Sequence, residues 1–309
     1  MVNKENEGKV INPFLDLSFK YLFGTEESKA NLIGLLNLLL NPEPEIEEVD
    51  FISNEAIPVS PQMKGCVFDI ICRDKAGDKY LIEMQNQQMM NEVERIIFYT
   101  CRLIDRMGMS GRKWNYTQIK RVYSICLMNF TFEEQPVLRR DIVLYDIVGK
   151  KVFSDKLNIV LLQLPCLRVQ SIHECSQRYE FLLYLLKQMH KGMNTIEELK
   201  LEVAQTGLPD ETKELFYKVL DTADVASLSE RDRIQYESDL KNYRDTMSCI
   251  EFAEHKGKEE GRIEGRIEGR QEGILEGVRL AAAKLKAKGM SVEDIIECTG
   301  LSVEEISML

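Results

Sequence analysis

The chain has 309 residues, 44% hydrophobic and 29% charged, with a formal net charge of −11. That length suits one large or two smaller domains, and the composition is that of an ordinary soluble globular protein with a sizeable core. The acidic balance counts against a general nucleic-acid binder while leaving room for a local basic surface. Eight cysteines fall singly, without a CxxC pair, and there are three histidines, so zinc-ligand spacing is absent. Scattered cysteines in apolar segments suit a reducing cytoplasm. The start, MVNKENEGKV, lacks an apolar signal core, and no run approaches the roughly 20 apolar residues of a membrane span. A cytoplasmic protein without a membrane partner is expected.

Residues 1–12 read as a mobile lead. Asp16 to Gly24 reads as a short helix, with Asp16 as its candidate cap and Gly24 as its stop. A second helix opens after Thr25 and runs through Ile33, Leu36 and Leu40 to Asn41-Pro42. Phe51–Val59 reads as a strand ended by Pro58 and Pro61; Glu55 on it is either a further site carboxylate or a solvated strand residue.

The most informative stretch is Cys66–Gln85, CVFDIICRDKAGDKYLIEMQ. Two apolar runs, Cys66–Cys72 and Lys79–Gln85, flank a polar loop containing Gly77, which is a β-hairpin pattern. Alternation sets Val67, Asp69 and Ile71 on one face and Leu81, Glu83 and Gln85 on one face. With the loop centred on Ala76, residues whose numbers sum to 152 lie opposite each other, so Asp69 faces Glu83. Directly opposed like charges are destabilising, and a hard divalent cation would offset the repulsion. The competing reading makes both carboxylates solvated residues of an edge hairpin. A one-residue slip of register would separate them.

Asn91–Met109 reads as a helix with an apolar stripe of Val93, Ile97, Cys101 and Ile104, which leaves Glu94, Arg95 and Tyr99 off the stripe. Arg95 either meets a phosphate, holds Glu83, or forms an ordinary surface ion pair. From Arg102 to Arg121 six basic residues (Arg102, Arg106, Arg112, Lys113, Lys120 and Arg121) accompany one acidic residue, Asp105. They offer phosphate contacts or a solvated face. Strands are expected at Val122–Phe130, Asp141–Val148 and Asn158–Leu164, and helices at Tyr179–Met189, Ile196–Ala204, Asp210–Asp221 and Ser229–Phe252.

In the tail, Gly257, Gly261, Gly265, Gly269, Gly273 and Gly277 recur every four residues. Each Gly costs a helix roughly 1 kcal/mol relative to Ala, and like charges meet at i, i+4. A flexible, semi-helical linker is one expectation. The other is a homo-oligomer through residues 257–277, with Glu stripes of one copy meeting Arg stripes of another. Val278–Lys288 then reads as a helix, followed by two short helices shaped like a helix-turn-helix. Residues 290–309 carry five acidic residues and no Lys or Arg, which argues against DNA reading there.

The hairpin wording FDIICRDKAGDKYLIEMQ, with NPFLDLSFKYLFG near the start, Arg95 and Tyr99, Trp114–Tyr116 and the Glu-Gly-Arg repeats, resembles the PD-(D/E)xK nuclease family transposases, also called recombination-promoting nucleases. The resemblance implies a restriction-endonuclease-like α/β fold, a mixed sheet flanked by helices, followed by a helical region and a Gly-periodic helical tail. The implied division is a nuclease-like core at 1–170, a helical subdomain at 171–255 and the repeat tail at 256–309. It implies a Mg²⁺-dependent DNA endonuclease (Mn²⁺ as substitute) linked to recombination, mobile-element or defence biology. Asp69 and Glu83 would be metal ligands and catalytic. Gln85 would stand where many relatives have Lys, and Asp16 or Lys20 would approach the site. Phe68 replaces the usual Pro before the motif Asp. Gln cannot act as a base, so an inactive relative serving as an oligomeric protein- or DNA-binding module is the alternative.

Overall fold

The computed structural model describes residues 8–53, 55–56, 66–67, 69–105, 107, 115–132 and 134–309, with backbone alone at 55–56 and 66–67. Part of the expected lead, the end of the strand at 57–59, Phe68, Arg106, Arg112, Lys113 and Trp114 lie outside them. The chain falls into two compact units, residues 1–240 and 241–309.

The first unit is built on a mixed six-stranded sheet. Two helices precede it, α1 (Asp16–Phe23) and α2 (Lys29–Leu40). The strands are β1 (Val49–Phe51), β4 (Ile70–Asp74), β5 (Lys79–Gln85), β6 (Val122–Met128), β7 (Arg139–Asp146) and β8 (Lys151–Gln163); β2 (Glu55–Ala56) and β3 (Cys66–Val67) form a separate two-stranded ladder. Sheet order is β1-β4-β5-β6-β8-β7. β5 and β6 run parallel, as do β6 and β8, and the other neighbours are antiparallel. A parallel neighbour requires a crossover, and α3 (Glu92–Asp105) supplies it between β5 and β6. Helices α4 (Arg178–Lys191), α5 (Ile196–Ala204) and α6 (Asp210–Thr222) follow. The expected strand Phe51–Val59 is interrupted after Phe51, and β1 and β2 belong to different sheets.

The hairpin register pairs Ile70 with Ile82, Ile71 with Leu81 and Cys72 with Tyr80, all summing to 152. Ile71 and Leu81 lie beneath α3 in a buried cluster with Leu103 and Val122. Ile70 points to the opposite face, where a Cβ on Gly24 at the end of α1 would come within 3.2 Å of it. Both faces of the hairpin are therefore covered, as the apolar residues on both sides require.

Three local expectations are corrected. Residues 9–12 are held in place: Val10 bridges Asp224, Ile11 N–H donates to Ala223, and both side chains are buried. Asp16 is not the cap of α1; Leu15 holds that position without a side-chain cap bond, and Asp16 is the first helical residue. Helix α3 does not bury Val93, Ile97 and Cys101. It buries Ile96, Thr100 and Leu103, while Val93 and Ile97 are about half exposed. Two apolar stripes coexist on this helix, and the one that fits Leu81 and Val122 of the sheet won.

Helix α7 (Glu230–Ala287) is continuous through the glycine repeat. Its N-terminal turns belong to the first unit, where Tyr236 Oη accepts a hydrogen bond from Asn12 N–H. In the second unit, α8 (Val292–Thr299) and α9 (Val303–Ser307) close on the end of α7 through Ala282, Ile295, Leu301 and Ile306. Lys286 Nζ reaches the Ile306 carbonyl at 2.8 Å. Among the described residues, no helix is long and apolar enough to cross a membrane.

Candidate active site

The site grows from the open end of the hairpin. Asp69 stands one residue before β4, directly across from Glu83 by the ladder's own register. Its N–H donates to Glu83 Oε1 at 3.3 Å, and its Oδ2 accepts the Met84 N–H at 2.8 Å. Glu83 is 6% exposed and Gln85, two residues on and on the same face, is also 6% exposed. That face runs from apolar at Leu81 to polar at Glu83 and Gln85, toward the carboxyl end of β5, where parallel sheets commonly leave their ligand crevice.

Burial pushes both carboxyls up. For Glu83 the charge of Asp69 adds to desolvation and carries it to about 8; for Asp69 desolvation leads, partly offset by the Met84 N–H. A buried carboxylate pair without a matching buried cation is the arrangement that shifts pKa values this way. The thiol of Cys126, beside Glu83 on β6, is likewise raised by burial and then by Glu83.

Helices α1 and α3 bring further groups. The charge of Asp16 raises Asp69 further, and Asp16 pairs with Lys20 at 2.8 Å. The charge of Lys20 is felt by both Asp69 and Glu83. Arg95, on the first turn of α3, also acts on Glu83, and donates through Nη2 to buried Glu92 at 3.2 Å. Its guanidinium lies 5.7 Å from the Tyr99 ring centre, and Tyr99 packs on the Leu81–Leu103 cluster. Glu92 had no signal in the sequence beyond its three-residue spacing to Arg95. Glu55 is described by its backbone alone, which pairs with Val67 in the β2–β3 ladder.

Two buried polar atoms here have no hydrogen-bond partner among the described residues: Gln85 Oε1, an acceptor, and Arg95 Nε, a donor. Native interiors rarely leave such atoms unpaired, so each is a candidate contact for a water or ligand. Among the described residues no three His, Cys, Asp or Glu side chains form a ready-made metal cage. Two carboxylates and one amide oxygen are a hard-oxygen donor set that fits a divalent ion retaining several waters.

Of the basic stretch, Arg106, Arg112 and Lys113 lie outside the described residues. Arg102 is buried and pairs with Asp105, and Arg121 pairs with Asp155 and Asp78.

Comparison with known proteins agrees with this architecture. A family model described as PD-(D/E)XK nuclease family transposase matches residues 13–253. No curated protein and no solved structure matches the chain. The matched span contains the sheet, the hairpin and α3, and it covers most of the chain. The chain belongs to the PD-(D/E)XK nuclease family transposases.

Proposed function

We propose that the protein is a divalent-metal-dependent endonuclease that hydrolyses DNA phosphodiester bonds, in a setting of recombination, mobile-element or defence biology. The observation that carries this is the buried Asp69–Glu83 pair, in which burial, and then the charge of Asp69, raises Glu83 to about 8. The nuclease family gives the reaction class. Asp69 and Glu83 would hold Mg²⁺, with Mn²⁺ as a substitute, and Gln85 Oε1 lies on the same face. When bound, such an ion acidifies a water and stabilises charge developing on phosphate. Gln85 has no titratable proton, so it orients water or phosphate through its amide. Lys20 and Arg95 favour the ionised form of Glu83 and offer cationic donors to a phosphate oxygen, which partly replaces the Lys absent at position 85. Asp16 and Glu92 hold those two cations in place.

Nicking of supercoiled plasmid by purified protein tests the reading, with Mg²⁺, Mn²⁺ or EDTA, beside Asp69→Ala with Glu83→Ala. Metal-dependent nicking lost in the double variant supports the assignment. Equal nicking by both proteins points to another site or a contaminant. The second reading, a non-catalytic binding module, draws on the net charge of −11 and the acidic C-terminal helices. Absence of nicking by folded protein, with no metal-induced rise in melting temperature, would favour it.

A further inference from the structure

Residues 251–277 of α7 are exposed along their whole length. A Cβ added at any of the repeat glycines, Gly257 to Gly277, would meet nothing within 4 Å. This stretch thus combines poor helix propensity with no packing, although helices in proteins draw most of their stability from a buried apolar face. Such a face exists and is uncovered. Ile263, Ile267 and Ile274 are each about half exposed, and at 3.6 residues per turn they fall within about 40° of one another.

Charge is sorted about that stripe. Arg262, Arg266 and Arg270 fall on one side, Arg266 about 80° from its centre; Glu260, Glu264 and Glu268 fall on the other, Glu264 about 80° the opposite way. Gly261, Gly265 and Gly269 lie across the helix from the isoleucines. Within the chain, Arg262 pairs with Glu259 at 2.6 Å. When two copies meet along the stripe, parallel pairing sets the Arg side of each against the Glu side of the other on both flanks. Antiparallel pairing sets Arg against Arg and Glu against Glu. Flanking charges of this kind choose partner and orientation in paired helices.

We propose that α7 pairs with α7 of a second copy of this chain, parallel and in register, through Ile263, Ile267 and Ile274. The chain carries its own reporter of that arrangement. Cys249 is exposed and lies fourteen residues, two heptads, before Ile263, so parallel in-register pairing brings the two Cys249 thiols together. Antiparallel pairing separates them by many turns. The proposal stands independently of the nuclease reading.

The test is sedimentation of the full chain over a concentration series, with cross-linking by a short bismaleimide. It is run on the wild type, Cys249→Ser, the triple variant Ile263→Glu, Ile267→Glu, Ile274→Glu, and Gly265→Ala with Gly269→Ala. All changes fall on exposed positions, and the thermal transition of each protein checks that it is folded. Expected are a dimer, a cross-link absent from Cys249→Ser, at least tenfold weaker association in the triple variant, and undiminished association in the glycine variant. A monomer at every concentration overturns the proposal, as does a dimer indifferent to the isoleucines. A dimer that does not cross-link through Cys249 overturns the parallel register. Weakening by Gly265→Ala with Gly269→Ala would move the contact to the glycine face.

Discussion

Glu83 concentrates the chemistry of the site in one side chain. Its carboxyl is raised from 4.5 to about 8 by burial and by Asp69, so folding favours the neutral form. The stability this contributes is complete below about pH 4.5 and is lost as pH rises through about 8. Metal-free protein in EDTA should therefore melt at a lower temperature at pH 8 than at pH 5, and Glu83→Gln should flatten that dependence. Under the proposed function, Mg²⁺ should raise the melting temperature of the wild type at pH 8 and leave Asp69→Ala unmoved. Gln85 has a different task. If it orients water or phosphate, Gln85→Ala should lower metal-dependent nicking by about 10–100-fold, in the range of groups that position a metal site's ligands. Nicking unchanged in Gln85→Ala would remove the residue from the mechanism.

At the scale of elements, α3 decides what the hairpin's polar end meets. Its buried stripe, Ile96, Thr100 and Leu103, seats Arg95 where its charge acts on Glu83, with the Tyr99 ring beside the guanidinium. Ile96→Ala or Leu103→Ala should destabilise the protein by about 2–5 kcal/mol, as buried aliphatic truncations do. Ile97→Ala, on the outward stripe, should stay within about 0.5 kcal/mol. Denaturant midpoints of the three variants would distinguish the faces. The sequence could not, because Val93, Ile97 and Cys101 repeat with the same helical period as Ile96, Thr100 and Leu103. Asp16 teaches a related lesson. Acidic residues at helix starts usually cap, and here the carboxylate turns to Lys20 and Asp69 instead. By contrast the hairpin register was legible, since a short loop between alternating strands admits few pairings.

Across the whole molecule, the chain divides into two compact units. A chain ending at Leu240 keeps the sheet, α1 to α6 and the Tyr236 contact with Asn12. It should retain a cooperative thermal transition and any metal-induced shift, yet sediment as a monomer if α7 is the pairing element. Calorimetry and sedimentation of the truncated protein check both halves of that expectation.

What the sequence determined by itself was periodic or local: the alternation that sets Asp69 against Glu83, the helical runs of α4 to α6, and the four-residue glycine repeat, though not that one helix runs unbroken through that repeat. These depend on spacing along the chain, which is visible without a fold. Tertiary structure alone decided which stripe of α3 is buried, that Phe51 and Glu55 belong to different sheets, and that Asp16, Lys20 and Arg95 converge on the hairpin. It also decided that Arg102 is buried and pairs with Asp105, while Arg121 pairs with Asp155 at the surface. Each of these depends on which surfaces compete for the same partner across many residues of chain, and burial free energy settles that competition only when the whole core is assembled.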